Sequence, residues 1–147
     1  MNKKLLIIIG LILILFFSIL DILAANPTTP DYNLTIPGGY HIVNQSDNFV
    51  LLQSDKYHTI SISTLDGGTD KDLLKYLLER SMYDFTYSTN YTKGSYDVEK
   101  NHYNQEYQSG ILYLCDKGHE MIVIDYKGPL GEDLEDSPVG VILDGLD

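Results

Sequence analysis

The stretch "SGILYLCDKGHEMIVIDY", Ser109 to Tyr126, decides how this chain folds. It holds two strongly β-forming runs, "ILYLC" from Ile111 to Cys115 and "MIVI" from Met121 to Ile124. Between them, Asp116, Lys117 and Gly118 supply turn chemistry, with Gly118 free to take a positive φ. The spacing predicts two strands joined by a tight turn. Neither run alternates apolar with polar residues, so both strands should be covered on both faces. One helix covers only one face, so a second helix is expected.

The same stretch contains the chain's single cysteine, Cys115, with His119 beside Glu120 four residues on. A structural zinc site wants four thiolate or imidazole ligands at regular spacing, and one Cys with scattered His does not supply that. A thiol enzyme needs a base that holds Cys115 as thiolate, and nothing supplies an orienting third residue. The chain also repeats this layout: "SDKYHTISI" at 54–62 is similar to "CDKGHEMIVI" at 115–124, with Ser54 where Cys115 stands. A serine suits a hairpin corner and does nothing for a thiolate. We read the run as a corner.

Working outward, "FVLLQ" and "HTISISTL" read as strands, the second alternating with Ile60 and Ile62 on one face and Thr59, Ser61 and Ser63 on a wet one. "YNLTI" before "PGGY" reads as another strand. Thr69 is placed as the N-cap of a helix with Asp70 and Asp72 in its first turn. Leu73, Leu74, Leu77, Leu78, Met82 and Phe85 recur at helical spacing, which predicts a long amphipathic helix fading by Tyr87, with "STNYTKGS" as loop. "YDVEK" and "HYNQEYQ" read as polar strands, and Ser109-Gly110 as a hairpin signal. At the C-terminus, Ser137 fits an N-cap and Pro138 the first helical position, ahead of Val139, Ile142, Leu143 and Leu146. The fold class expected is α+β: an antiparallel sheet with the long amphipathic helix on one face and a short C-terminal helix on the other.

The first 25 residues have Lys3 and Lys4 followed by an apolar run from Leu5 to Leu20, interrupted by Ser18. This is the layout of an export signal or an uncleaved membrane anchor over 5–25. At about 1.5 Å per residue, 5–20 spans roughly 24 Å, short of a ~30 Å hydrocarbon core. "NPTTPD" at 26–31 reads as a linker, and 32–147 as one domain. The lysines should stay on the cytoplasmic side, which places the domain outside the cell, at the membrane's outer face or secreted.

Of 10 basic and 21 acidic residues, 8 and 20 remain once Lys3, Lys4 and Asp21 are set aside, a formal −12. Such a surface repels phosphate backbones, so nucleic acid is not a partner. A lone cysteine forms no internal disulfide, so the core must hold the domain together. Sequons stand at Asn33, Asn44 and Asn90, glycan acceptors where the host has the machinery.

Of twelve tyrosines, seven crowd together between Tyr83 and Tyr113. Tyr96, Tyr103, Tyr107 and Tyr113 would form a binding face for a protein or envelope component if exposed together. Weaker metal candidates are His102, His119, Glu120 and Asp125. The acidic run Glu132–Asp136 lacks the ligand spacing of a calcium loop, and the glycine pairs lack a phosphate-binding pattern. No cofactor is implied. Three readings follow in order: a non-catalytic exported binding module, a metal-binding protein using His and carboxylate groups, and a thiol enzyme centred on Cys115.

The order of elements, with "TIPGGYHIV" early, "DKGHEMIVI" in the meander and "SPVGVILDGL" at the end, resembles small exported PsbP-like proteins of methanogenic archaea. Their domain is similar to PsbP, an extrinsic subunit of the photosynthetic oxygen-evolving complex. The resemblance covers about 32–147. It implies an α/β/α sandwich around an antiparallel sheet, usually without enzymatic activity, and it carries over no residue-level function. This chain lacks the lipidation cysteine that several such proteins carry.

Overall fold

The computed structural model describes residues 34–146. The expected leader or anchor at 1–25, the linker at 26–31, the domain start at Tyr32 and the sequon at Asn33 lie outside the described residues. Among those described, no helix is long and apolar enough to cross a membrane, so the expectation of a transmembrane segment is not met there.

Seven strands form one antiparallel sheet: β1 (Tyr40–Ser46), β2 (Phe49–Ser54), β3 (Thr59–Asp66), β4 (Asp84–Lys93), β5 (Tyr96–Asn104), β6 (Gln108–Asp116) and β7 (Glu120–Pro129). Their spatial order is β1-β2-β3-β7-β6-β5-β4. Among the described residues two helices accompany the sheet, α1 (Lys71–Glu79) and α2 (Ser137–Gly145). β3 and the four-strand meander β4–β7 are stitched together by β3–β7 pairing, Ser61 opposite Asp125 and Ile62 opposite Ile124.

This corrects the expected fold class. The described residues are mostly sheet, their two helices are nine residues each, and among them there is no long amphipathic helix. α1 stops because its last turn closes on itself: Tyr83 N–H donates to Leu78 C=O and Met82 N–H to Glu79 C=O. That is the Schellman pattern, which puts the residue before Tyr83 in the left-handed region. Here that residue is Met82, at φ 72°, where glycine is usual. Met82 is consequently exposed, and Phe85 belongs to β4, although both continue the apolar spacing of α1. The stretch expected as loop, 88–95, is mostly β4.

The caps also differ from expectation. Asp70, not Thr69, caps α1, accepting from the N–H groups of Asp72 and Leu73 at 3.0 and 3.2 Å. Asp136 precedes α2 without a side-chain cap bond, because its carboxylate is engaged elsewhere. Leu34 to Pro37 is not strand, and Ser109-Gly110 lies inside β6 rather than at a turn. Gly110 serves another purpose. A Cβ there would sit 2.2 Å from the Tyr103 ring, so only glycine lets that ring lie flat across β6.

Each face of the sheet has its own core. α2 packs Val139, Ile142 and Leu143 against Val50, Leu52, Ile60, Ile62, Ile111, Tyr113, Ile122 and Ile124. On the opposite face, α1 packs Leu74 and Leu78 against Tyr83, Tyr103, Leu112, Leu114, Met121 and Val123. β6 and β7 are therefore buried on both sides. The face of β3 read as wet is also covered: Ser61 and Ser63 are buried. Lys75 pairs with Glu99 at 2.8 Å and Lys71 with Asp116 at 3.4 Å, fastening α1 to the sheet.

Candidate functional site

A groove of about 520 Å³ opens on the α2 face, between the β2–β3 turn and the segment that leads into α2. That volume falls in the range of small-ligand pockets. One wall is the turn, with Ser54, Asp55, Lys56 and His58; the other is Glu132 to Glu135; Tyr40 and Tyr126 form the floor. The turn holds its shape because Ser54 Oγ accepts from the N–H groups of Lys56 and His58, each at 3.2 Å.

His58 organises the groove. Its Nε2 lies 2.9 Å from Glu132 Oε1, joining the two walls. Its ring meets Tyr126 edge-on, with centroids 6.0 Å apart. Gly128 makes room below, since a Cβ there would approach both His58 and Leu134 at 2.7 Å. Burial, followed by a hydrogen bond to Tyr40, pushes the Tyr126 hydroxyl above its usual pKa.

Ser54, His58 and Glu132 share this groove, which invites a hydrolytic reading. The hydrogen bonds of Ser54 run to the turn backbone, and the bonded imidazole nitrogen faces Glu132. A serine nucleophile needs its hydroxyl on the base. Ser54 instead caps a turn.

The corner that opened the sequence reading is a turn over 117–119, between β6 and β7. Asp116 Oδ1 accepts from Gly118 N–H at 2.9 Å, and Lys117 N–H donates to Glu120 C=O. Cys115 points into the α2-side core with 0% exposure, while His119 is exposed in the turn. Burial pushes the thiol up to about 12, with Lys71 opposing only in part.

The metal candidates are dispersed. His102 is half-buried on the α2 face of the sheet, stacked on Tyr87 with centroids 4.1 Å apart. Burial, then the neighbouring Lys100, lowers its pKa. Asp125 is buried on the other face, where Tyr83 donates to Oδ2 at 2.7 Å and Tyr103 to Oδ1. Glu120 begins β7, near the Tyr96 hydroxyl. Among the described residues, no group of three or more His, Cys, Asp or Glu could hold a metal ion.

The four tyrosines expected as a face do not share one. Tyr96 and Tyr113 are buried on the α2 side, Tyr103 on the α1 side, and only Tyr107 is exposed, at 76%. Tyr113 donates to Asp136 Oδ1 at 2.7 Å, and Lys100 contacts the same carboxylate. Burial pushes Asp136 up, but the bonds from Lys100 and Tyr113 outweigh it and hold the group below its usual range. Exposed instead are Tyr57, Tyr76, Tyr87 and Tyr91. Of the sequons, Asn44 is half-buried on β1 and Asn90 exposed on β4.

Sequence reasoning missed the groove. Its one visible signal was the repeat at 54–62, which places His58 where His119 stands, but Glu132 pairs with His58 across 74 residues.

No protein-family model matches the chain, and no curated protein is significantly similar to it. Neither comparison places it among PsbP-like proteins. Its fold is similar to that of a protein from Bacteroides thetaiotaomicron VPI-5482 with a crystal structure at 1.50 Å resolution, at TM-score 0.53 and 15% identity. The match covers 78% of this chain and 43% of that one, so this chain spans less than half of that protein's length. At such identity the likeness is one of fold alone.

Proposed function

We propose that the chain is a non-catalytic binding module, exported to the outside of the cell, whose groove seats part of a protein or envelope component. The observation that carries this reading is the His58–Glu132 bond across the mouth of a concave, tyrosine-floored groove. Four carboxylates, Asp55, Glu132, Asp133 and Glu135, line it against one ammonium, Lys56, so acceptors outnumber charged donors. The ligand therefore presents donors, either the ammonium groups of a basic segment or the hydroxyls of a saccharide. Tyr40 and Tyr126 offer ring surface to either.

Isothermal titration with an oligolysine peptide in one arm and a neutral oligosaccharide in the other separates the two sources. Binding in one arm should weaken about tenfold, equivalent to roughly 1.4 kcal/mol, in both His58→Ala and Glu132→Gln. Absence of binding in both arms, or binding indifferent to both substitutions, overturns the reading.

A further inference from the structure

We propose that β4 is a self-association edge: two copies of the chain join their β4 strands antiparallel about a two-fold axis at Thr89, merging two sheets into one. This goes beyond the groove reading and uses a different surface.

Among the described residues, β4 ends the sheet and pairs only with β5. Eight of its ten residues are exposed, all but Phe85 and Lys93. An edge strand offers unpaired N–H and C=O groups, and proteins usually blunt it with charge, proline, short length or a bulge. The opposite edge, β1, is blunted in this way: it has seven residues, with a register shift in mid-strand between Ile42 and Asn44. β4 is longer, and from Phe85 to Thr92 it contains neither charge nor proline. Its register shift, between Phe85 and Tyr87, lies near one end and leaves Tyr87–Lys93 regular.

The occupant follows from the charges. Asp84 opens the strand and Lys93 closes it, so a strand meeting its own copy antiparallel brings unlike charges together at both ends. With Thr89 on the axis, Tyr87 lies opposite Tyr91 of the second copy. If Thr86 is taken up by the bulge as it is against β5, Asp84 then falls opposite Lys93 of the second copy. Asp84 makes no ion pair among the described residues, while Lys93 holds Asp144 at 2.5 Å with its side chain still 43% exposed. An ammonium has three donors and can serve both carboxylates. Aromatic and unlike-charge pairs are the cross-strand contacts that stabilise antiparallel sheets. Because the contact is the same patch on both copies, it closes at two chains and uses up the edge.

Site-directed cross-linking of the full chain tests this. Cys115 is fully buried, so a short bis-maleimide reports only an introduced thiol. Thr89→Cys lies against itself across the axis and should give a covalent dimer. Thr92→Cys stands about 20 Å from its copy at ~3.3 Å per residue, and should give none. Asp84→Lys should abolish the dimer in sedimentation velocity, and adding Lys93→Asp should restore it. Equal cross-linking at positions 89 and 92, or a dimer indifferent to Asp84→Lys, overturns the proposal.

Discussion

Tyr57 and Gly118 occupy equivalent positions in the repeated turns at 54–58 and 115–119, and both take a left-handed backbone, with φ of 64° and 92°. The repeat read in the sequence is thus a repeat of backbone conformation. It sets a bulky side chain where its counterpart is glycine.

For a residue with a Cβ, the left-handed region costs roughly 1–2 kcal/mol. Tyr57→Gly should recover part of this, less glycine's own entropy loss, for a net gain of about 0.5–1 kcal/mol. Gly118→Ala should cost about 1–2 kcal/mol through backbone strain alone, because a Cβ there meets nothing within 4 Å. Urea unfolding of the two variants checks both signs. Tyr57 is 80% exposed between two residues that line the groove, a strained position of the kind that binding sites retain.

The buried carboxylate of Asp125 is held by two phenol donors, Tyr83 on Oδ2 and Tyr103 on Oδ1, with Lys127 Nζ 3.5 Å from Oδ2. Tyr103→Phe leaves one oxygen unpartnered and should destabilise by about 1–3 kcal/mol. Burial, then Asp125, raises the pKa of both Tyr83 and Tyr103 well above 10.0. A group with a raised folded-state pKa contributes its full stability below the unfolded value and loses it as pH rises toward the folded one. Unfolding midpoints should therefore fall as pH climbs past about 10, and the decline should be shallower in Tyr103→Phe. A midpoint flat to pH 11 in the parent chain would count against the network.

Gly110→Ala should be as harmful as a core mutation, though it adds one methyl group. Its Cβ would meet Tyr103 Cζ at 2.2 Å and the hydroxyl at 2.3 Å, which forces the ring off Asp125. We expect a loss of about 1–3 kcal/mol and a changed near-ultraviolet tyrosine spectrum. An unchanged spectrum would contradict the packing.

Cys115 should resist iodoacetamide at neutral pH in the folded chain and react once the chain unfolds. The thiol is buried and pushed up to about 12, so little thiolate forms and reagent cannot reach it. Rapid labelling of the folded chain would place the thiol in an accessible site after all.

How much of this was legible in the sequence depended on range. The continuous apolar runs of β6 and β7 signal strands buried on both sides, and the Asp-Lys-Gly corner is local chemistry. The length of α1 was not legible: Met82 and Phe85 keep the helical period, and nothing local marks Met82 as a left-handed stop where glycine would. The tyrosines misled because alternation assigns a side chain to one face or the other, while burial depends on which helix covers it. Tyr113 and Tyr103 are both core residues, on opposite faces. The groove was illegible because its defining pair, His58 and Glu132, meets only through β3–β7 pairing and the path of the chain after β7.

The measurement that bears most directly on the central claim is a backbone amide titration followed by NMR, with the oligolysine peptide and the neutral oligosaccharide added in separate series. The account predicts saturable shifts at Gly39, Lys56, His58, Gly128 and Leu134, with the turn at Lys117–His119 unmoved. Shifts centred on that second turn and Cys115, with the groove silent, would contradict it.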